Sequence, residues 1–246
     1  MKSGPKITFD ETNHKYTVDG ETDILSVTEL VGTVYPFDAP AVAAKLAEHG
    51  RKTAEEWLAE WQYAADRGTR THAVAEACVR HKARPVGLES ERPYYEAAKR
   101  AVAEMRRAVL ARGLKFRANA ELRVGTRLAN VAGTIDLLVD LGNNHWLLLD
   151  YKTCDKLPQE KLDKYSLQLS LYKQILLKEY LPEGAVITTY ICHIVRCGDE
   201  CFFKFIGPKP AANGDGRHLI DQDALAKKLL NDRYLSLSAK ARAKAA

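Results

Sequence analysis

Asp136, Asp150 and Lys152 are charged residues inside two otherwise apolar runs, GTIDLLVDLG and HWLLLDYK, which read as two β-strands. Burying a charge is unfavourable unless the charge is paired or binds a metal. If the strands form an antiparallel hairpin with the loop Gly142-Asn143-Asn144, partners are symmetric about Asn143, and Asp136 lies opposite Asp150. Lys152 shares their face because strands repeat every two residues. The pattern therefore predicts that three charges converge.

Two carboxylates held this close repel each other, and a divalent cation between them removes the repulsion. Oxygen ligands favour Mg²⁺ or Mn²⁺, and Mg²⁺ retains coordination positions for water and phosphate oxygens. Such a metal polarises a phosphate and activates water, while Lys152 could position or deprotonate that water or offset negative charge. These residues indicate phosphodiester hydrolysis. The alternative is a structural ion pair at a sheet edge, which Asp-x-Lys alone does not exclude.

The composition is that of a globular protein. The chain has 246 residues and a formal net charge of +5, which permits a polyanionic partner without requiring one. No apolar run approaches the roughly 20 residues of a membrane-spanning helix. Met1 to Gly20 is polar, unlike a signal peptide. We therefore expect a cytoplasmic protein with no membrane partner.

Changes in composition divide the chain into consecutive regions. A hairpin is predicted for KITFDETNHKYTVDG, and the start of a helix is predicted for SVTELVG. The following stretch is rich in Ala, Glu, Lys and Arg, which predicts three or four helices. From Lys115 the pattern becomes strand-like, with an amphipathic helix from about Gln159 to Tyr180. We expect one domain with four regions: an N-terminal hairpin region (1–38), a helical subdomain (39–112), an α/β core (113–210), and a C-terminal helix with a basic tail (211–246).

Three motifs in order suggest a family. A Gly-Thr-Ile-Asp strand is followed by Asp-x-Lys on the next strand and by Gln-x-x-x-Tyr, Gln168 to Tyr172, on a helix. This order resembles the PD-(D/E)XK nuclease superfamily, specifically its RecB-like branch, which includes phage and recombination exonucleases. The resemblance implies a restriction-endonuclease-like α/β core: a mixed central sheet flanked by helices, here with an N-terminal hairpin and a helical insertion.

The resemblance also implies roles for the charged residues. Asp136 and Asp150 would be acidic metal ligands, the backbone carbonyl of Tyr151 a further ligand, and Lys152 the catalytic lysine. Gln168 and Tyr172 lie one helical turn apart, so they would flank the site and help position DNA.

Upstream, RGTRTHAVAEA places Gly68, His72 and Glu76 along one helical face. RecB-like nucleases supply an imidazole to the metal from a Gly-x-x-x-His helix, and His72 is similar to that ligand. Glu76 could orient the imidazole, although a solvated glutamate is an open alternative.

Glu121 lies on the strand before the Asp136 strand, where related nucleases often carry an acidic residue close to the metal. The alternative is an ordinary edge-strand glutamate.

Four cysteines superficially match the distribution of an iron–sulfur cluster: Cys78, Cys192, Cys197 and Cys201. The late cysteines lack the short CxxC spacing of such clusters, so we expect buried thiols and no cluster.

Two kinds of residue could contact DNA. Trp57 and Trp61, at i and i+4, could stack on bases, but interhelical packing is the favoured reading. Some of the basic residues near the motifs should contact phosphates: Arg67, Arg70, Arg100, Arg106, Arg107, Lys156, Lys161 and Lys164.

Together, the residues and the resemblance imply a metal-dependent DNA nuclease using Mg²⁺ or Mn²⁺. An exonuclease acting on linear DNA in phage or bacterial recombination or repair is favoured, in a bacterium or bacterial host cell, with a single-strand annealing protein as a possible partner. Two alternatives remain open: a noncatalytic DNA-binding or assembly module that retains the fold, and a structure-specific endonuclease.

Overall fold

The computed structural model describes residues 2–50, 52–83, 87–209 and 216–245, in which a six-stranded mixed sheet is flanked by helices. A separate hairpin comprises β1 (Ile7–Asp10) and β2 (Lys15–Val18). The main sheet comprises β3 (Leu25–Ser26), β4 (Arg117–Thr126), β5 (Val131–Gly142), β6 (His145–Lys152), β7 (Val186–Cys197) and β8 (Glu200–Ile206). The helices are α1 (Val27–Gly32), α2 (Ala39–His49), α3 (Ala54–Val79), α4 (Arg92–Ala111), α5 (Gln159–Ile175) and α6 (Asp223–Ala245).

Strand β5 is the centre of the topology. It pairs antiparallel with β4 and β6 and, over two residues, parallel with β3. Helix α5 provides the crossover from β6 to its parallel neighbour β7, and β8 returns antiparallel to β7. The predicted fold class, a mixed sheet flanked by helices with an N-terminal hairpin and a helical insertion, is confirmed.

The two faces of the sheet are covered by separate cores, which explains why β5 and β6 are almost continuously apolar. Leu138 and Leu148 belong to a core shared with α1, α5 and α6. Their neighbours Leu137 and Leu149 belong to a second core shared with α3 and α4. Alternate residues of each strand therefore pack against different helices. As a result, α3 on one face and α5 on the other both contact β5 and β6.

Three helices and a 3-10 turn, Glu89–Glu91, form the stretch for which three or four helices were predicted. Thr53 and Glu56 form a capping box that begins α3. The predicted break RPVGLESERP lies partly at residues 84–86, outside the described residues. None of the helices in the described ranges is long and apolar enough to cross a membrane.

The predicted hairpin loop Gly142-Asn143-Asn144 is wrong by one residue. Gly142 pairs with His145, so the turn contains only Asn143 and Asn144, with φ of 49° and 60°. Asparagine tolerates positive φ, and two-residue turns of this kind match the twist of the strands. A register shift between Asp140 and Gly142 takes up the extra residue, so the predicted symmetry about Asn143 holds for the rest of the ladder.

The later helices differ slightly from their predicted bounds. The helix expected from about Gln159 to Tyr180 is α-helical only to Ile175 and continues as a π-helix over Leu176–Tyr180. A helix was expected from about Leu219, but α6 begins at Asp223. Its first turns are not a free tail, because Ala226 is buried against the α5 side of the sheet.

Candidate metal centre

The ladder between β5 and β6 ends at the pair Leu137 and Leu149, one residue before Asp136 and Asp150. Beyond this point a side chain replaces a backbone carbonyl as the hydrogen-bond acceptor between the strands, since the Tyr151 amide donates to Asp136 Oδ2 at 2.7 Å. The charged residues therefore lie where two strands separate. This explains how polar groups interrupt a buried apolar pair of strands without leaving the backbone unsatisfied.

His72 approaches this point from α3. Its Nδ1 lies 3.4 Å from Asp136 Oδ2, and its Nε2 lies 3.0 Å from the Tyr151 carbonyl oxygen. Burial alone would lower the pKa of His72, but the facing Asp136 carboxylate raises it to about 9. The imidazolium can donate from both nitrogens, so it bridges two of the predicted metal ligands.

Packing of α3 against β6 places this imidazole. One turn before His72, Gly68 lies so close to the residue that follows β6 that an added Cβ would be 3.2 Å from the Thr153 hydroxyl. Arg67 Nη2 donates to the Thr153 carbonyl at 3.3 Å. A small residue at position 68 thus allows the close approach, which accounts for the Gly-x-x-x-His spacing.

Glu121 is the third member of the cluster. Ligand atoms of His72, Glu121 and Asp136 all lie within 4.8 Å of one another. Burial and the nearby Asp136 charge raise the pKa of Glu121 to about 7. Its carboxylate forms no hydrogen bond or ion pair with another described residue. The Glu121 and Asp136 carboxylates repel each other when both are ionised, and a divalent cation between them would remove this repulsion. The donor set of two carboxylates and one imidazole therefore fits a metal ion.

Asp150 and Lys152 form a second group beside the cluster. Lys152 Nζ lies 2.9 Å and 2.6 Å from the two Asp150 carboxylate oxygens. Burial raises the pKa of Asp150 to about 6. Burial would lower the pKa of Lys152, but Asp150 and Asp136 outweigh it and raise the pKa. The ammonium group also lies 4.5 Å from the centre of the Tyr165 ring.

Gln168 and Tyr172 reach the same region from α5. Gln168 Nε2 lies 3.4 Å from Asp150 Oδ1, and the Gln168 side chain lies near enough to the Tyr172 hydroxyl to offset part of the rise that burial causes in the pKa of Tyr172. Tyr172 is only 4 % exposed, and a Cβ on Gly133 would come within 2.7 Å of its hydroxyl oxygen. Tyr172 thus supports Gln168 from inside the core, although the sequence suggested that it flanks the site beside DNA.

The predicted metal ligands lie in two groups instead of meeting at one point. His72, Asp136 and the Tyr151 carbonyl meet on one side, whereas Asp150 contacts Lys152 and Gln168. Glu76 was one candidate to orient the imidazole, with a solvated glutamate as the alternative, and its ion pair is with Arg80 at 2.9 Å. The i, i+4 spacing that aligned Glu76 with His72 equally aligns it with Arg80.

Tyr165 is the residue near the site that sequence reasoning missed. Its ring faces Lys152, and it lies three residues before Gln168 on α5. That i, i+3 spacing on one helical face was the available signal.

Cys154 lines the same cavity as His72 and Lys152, whereas the other four cysteines do not line it. Cys192 and Cys201 are buried in the core shared with α3 and α4, and Cys78 packs against it. Cys197 is exposed, so the expectation of a buried thiol was wrong there because β7 ends at this residue.

Comparison with known proteins gives the family. A model of the PD-(D/E)XK nuclease superfamily matches residues 41–234, a range that includes the whole cluster and the Asp150–Lys152 pair. No curated protein matches the chain significantly. Among solved structures, the crystal structure titled "Crystal structure of SSO0001" aligns over 88 % of this chain and 77 % of that chain, at 12 % identity and a TM-score of 0.37. That score is too low to support any functional argument. The family match spans most of the chain, and this protein belongs to the PD-(D/E)XK nuclease superfamily.

Proposed function

We propose that this protein is a metal-dependent deoxyribonuclease that hydrolyses phosphodiester bonds as an exonuclease. Membership of the superfamily implies nuclease activity, a divalent metal and DNA as the substrate. The observation that carries the proposal is the ligand cluster of His72, Glu121 and Asp136 beside the buried Asp150–Lys152 pair. A noncatalytic module would have no need to keep so many charges buried next to each other.

The ligands we assign to the metal are His72, Glu121, Asp136 and the Tyr151 carbonyl, with Asp150 adjacent to them. A bound Mg²⁺ or Mn²⁺ would polarise the phosphate and lower the pKa of the attacking water. His72 must lose a proton to become a ligand, and Glu121 must be ionised, so binding the metal releases protons from the site.

The protein's own groups complete the reaction. The Lys152 ammonium offsets the negative charge that develops on the scissile phosphate. Gln168 holds Asp150 in place through a hydrogen bond, and Tyr165 holds Lys152 in place because its ring lies against the ammonium group. Tyr172 acts through Gln168 and not on DNA directly.

The preference for DNA ends, and a role in phage or bacterial recombination or repair alongside a single-strand annealing protein, rest on the resemblance of the motif order to RecB-like nucleases. A cytoplasmic location belongs to the same part of the proposal. These finer assignments depend on analogy, because a fold supports many functions.

The deciding experiment incubates 5′- and 3′-labelled linear DNA and closed circular DNA with Mg²⁺ or Mn²⁺. We expect metal-dependent loss of linear DNA only, and a Lys152→Ala rate at least about 100-fold lower, since a positioned charge that stabilises the transition state contributes this much. Lys178→Ala, an exposed lysine after α5, serves as the control and should retain the native rate.

Three other outcomes would change the assignment. Cleavage of circles would identify an endonuclease. Binding of DNA without cleavage of any form would favour the noncatalytic module. Cleavage that is indifferent to Lys152 would remove this residue from the mechanism.

A further inference from the structure

Phe37 and Trp61 form an aromatic pair in which Phe37 is exposed and Trp61 is half-buried. Phe37 is 62 % exposed, and its ring centroid lies 5.8 Å from that of Trp61 at an angle of 58°. Trp57 continues the row, 6.1 Å from Trp61. Trp57 and Trp61 are both half-buried, which is compatible with the favoured reading of interhelical packing, and Trp61 keeps partial exposure beside Phe37, which faces solvent. A large exposed aromatic surface often marks a binding site.

A groove connects this pair to the candidate metal centre. One cavity of about 620 Å³ is lined by His72, Lys152 and Trp61. A second cavity of about 930 Å³ continues from Trp61 to Phe37. The two share Trp61, Lys161 and Tyr165 as wall residues, so they form one depression along α3 and the start of α5.

The charge of the groove suits a nucleic-acid backbone. Lys156 and Lys161 line the first cavity, and Lys161 and Lys164 the second. None of these three lysines forms an ion pair with any residue that the structure describes. The wall also carries three carboxylates, Glu60, Asp155 and Glu160, of which Glu60 is paired with Lys52. The groove therefore offers unpaired cations beside flat aromatic faces.

We propose that this groove binds a single DNA strand, with bases stacked on Phe37 and Trp61 and phosphates held by Lys156, Lys161 and Lys164. Unpaired bases have free π-faces that stack on aromatic side chains, whereas bases in a duplex are already stacked on each other. The strand would lead one phosphate to the Asp136 cluster. This assignment of the substrate rests on the proposed nuclease function, but the binding site can be tested without cleavage.

Binding is measured by fluorescence anisotropy with a labelled 20-nucleotide oligo-dT and a blunt duplex of equal length, in EDTA so that no hydrolysis occurs. We expect Phe37→Ala to weaken oligo-dT binding about 10-fold, the effect of losing one stacked base, and to leave duplex binding within about 2-fold. Phe202→Ala removes an equally large ring that is 51 % exposed on β8 and should change neither affinity.

Two further readouts separate stacking from charge. Oligo-dT should quench the tryptophan fluorescence of the native protein, and Trp61→Phe should remove most of the quenching while it keeps an aromatic ring for binding. The double variant Lys161→Ala, Lys164→Ala should reduce the slope of log K against log salt by about 1.4, because each phosphate contact on a single strand contributes roughly 0.7.

The outcomes are distinct. Equal affinities of Phe37→Ala and Phe202→Ala for oligo-dT would overturn the proposal, as would equal losses for oligo-dT and duplex, or no binding of oligo-dT by the native protein. Phe37-dependent binding of oligo-dT by a protein that cleaves nothing in Mg²⁺ or Mn²⁺ would support the groove and overturn the nuclease function.

Discussion

Glu121 adopts a left-handed backbone conformation in the middle of β4, with φ of 48°. Such a conformation is unfavourable for a residue with a large side chain and persists only where the surroundings impose it. Regular pairing with β5 continues on both sides, at Ala120 with Leu137 and Leu122 with Ile135. The distortion turns one carboxylate towards Asp136 and His72, so local strain accompanies the assembly of the ligand cluster.

At the residue scale, we expect Glu121→Gln to stabilise the metal-free protein and to weaken metal binding. The raised pKa of Glu121, about 7, means that its protonated form fits the folded state, so stability is lost as pH rises from about 4.5 to 7. Glutamine cannot ionise, so Glu121→Gln removes this loss of stability, and the gain, at most roughly 3 kcal/mol, should be greatest above pH 7. Thermal unfolding at pH 8 with and without Mn²⁺ should show a higher Tm without metal and a smaller rise on adding metal.

Glu11→Gln provides the control for this variant, because Glu11 is an exposed glutamate on the N-terminal hairpin. It should behave like the native protein in both conditions. A metal-induced rise in Tm that survives Glu121→Gln unchanged would show that Glu121 is not a ligand.

At the element scale, the site depends on how closely α5 packs against β5. Gly133 on β5 has no space for a side chain, since an added Cβ would lie 2.7 Å from the Tyr172 hydroxyl oxygen. Tyr172 in turn supports Gln168, which contacts Asp150. A clash at position 133 would therefore be transmitted along α5 to the charged pair.

We expect Gly133→Ala to destabilise the protein by about 2 kcal/mol, a typical result of overpacking, and to lower the rate of DNA cleavage. Urea unfolding and the linear-DNA assay measure the two effects. The matched control is Gly32→Ala at the end of α1, where nothing lies within 4 Å of the added Cβ. If both alanine variants have native stability, α5 is not held as tightly to β5 as the structure indicates.

At the scale of the whole molecule, an ion pair between the partly exposed Arg70 and the buried Glu91 joins α3 to the start of α4. Arg70 Nε and Nη2 lie 2.8 Å and 2.6 Å from the Glu91 carboxylate, which also accepts a bond from Tyr95. Glu91 is 1 % exposed. The Arg70 guanidinium holds the pKa of Glu91 down at about 2 despite its burial. The position of the His72 helix within the fold thus depends partly on one ionised carboxylate.

Because the pKa of Glu91 is lowered, its stabilising effect is complete above pH 4.5 and is lost as pH falls towards 2. Glu91→Gln should lower stability at pH 7 by about 2 kcal/mol, as expected when hydrogen bonds to a charged group are lost while the partly exposed Arg70 stays solvated. The variant should lose less stability than the native protein between pH 4.5 and 3, measured by thermal unfolding. Glu89→Gln, with an exposed glutamate two residues earlier, should match the native protein, and parallel pH profiles for all three would contradict this role.

Several features of this protein are determined by its sequence alone. Alternation and turn residues were sufficient to predict the β5–β6 hairpin and its symmetry about Asn143, because strand periodicity and turn chemistry act over short distances. The pairing of Lys152 with Asp150 follows from the same period of two. The order of the motifs was sufficient to predict the superfamily and the mixed α/β fold.

The resemblance had implied that His72 and Glu121 lie near the metal, but only the tertiary structure decided how the charged residues are grouped. The ladder ends at Leu137 and Leu149, so Asp136 turns to His72 and Glu121 while Asp150 turns to Lys152 and Gln168. His72 and Glu121 lie on other elements, and local periodicity carries no information about which side chains α3 and β4 will bring to β5. These contacts depend on the packing of two layers against one sheet and on one distorted residue, and such interactions between distant segments are formed only when the whole chain is folded.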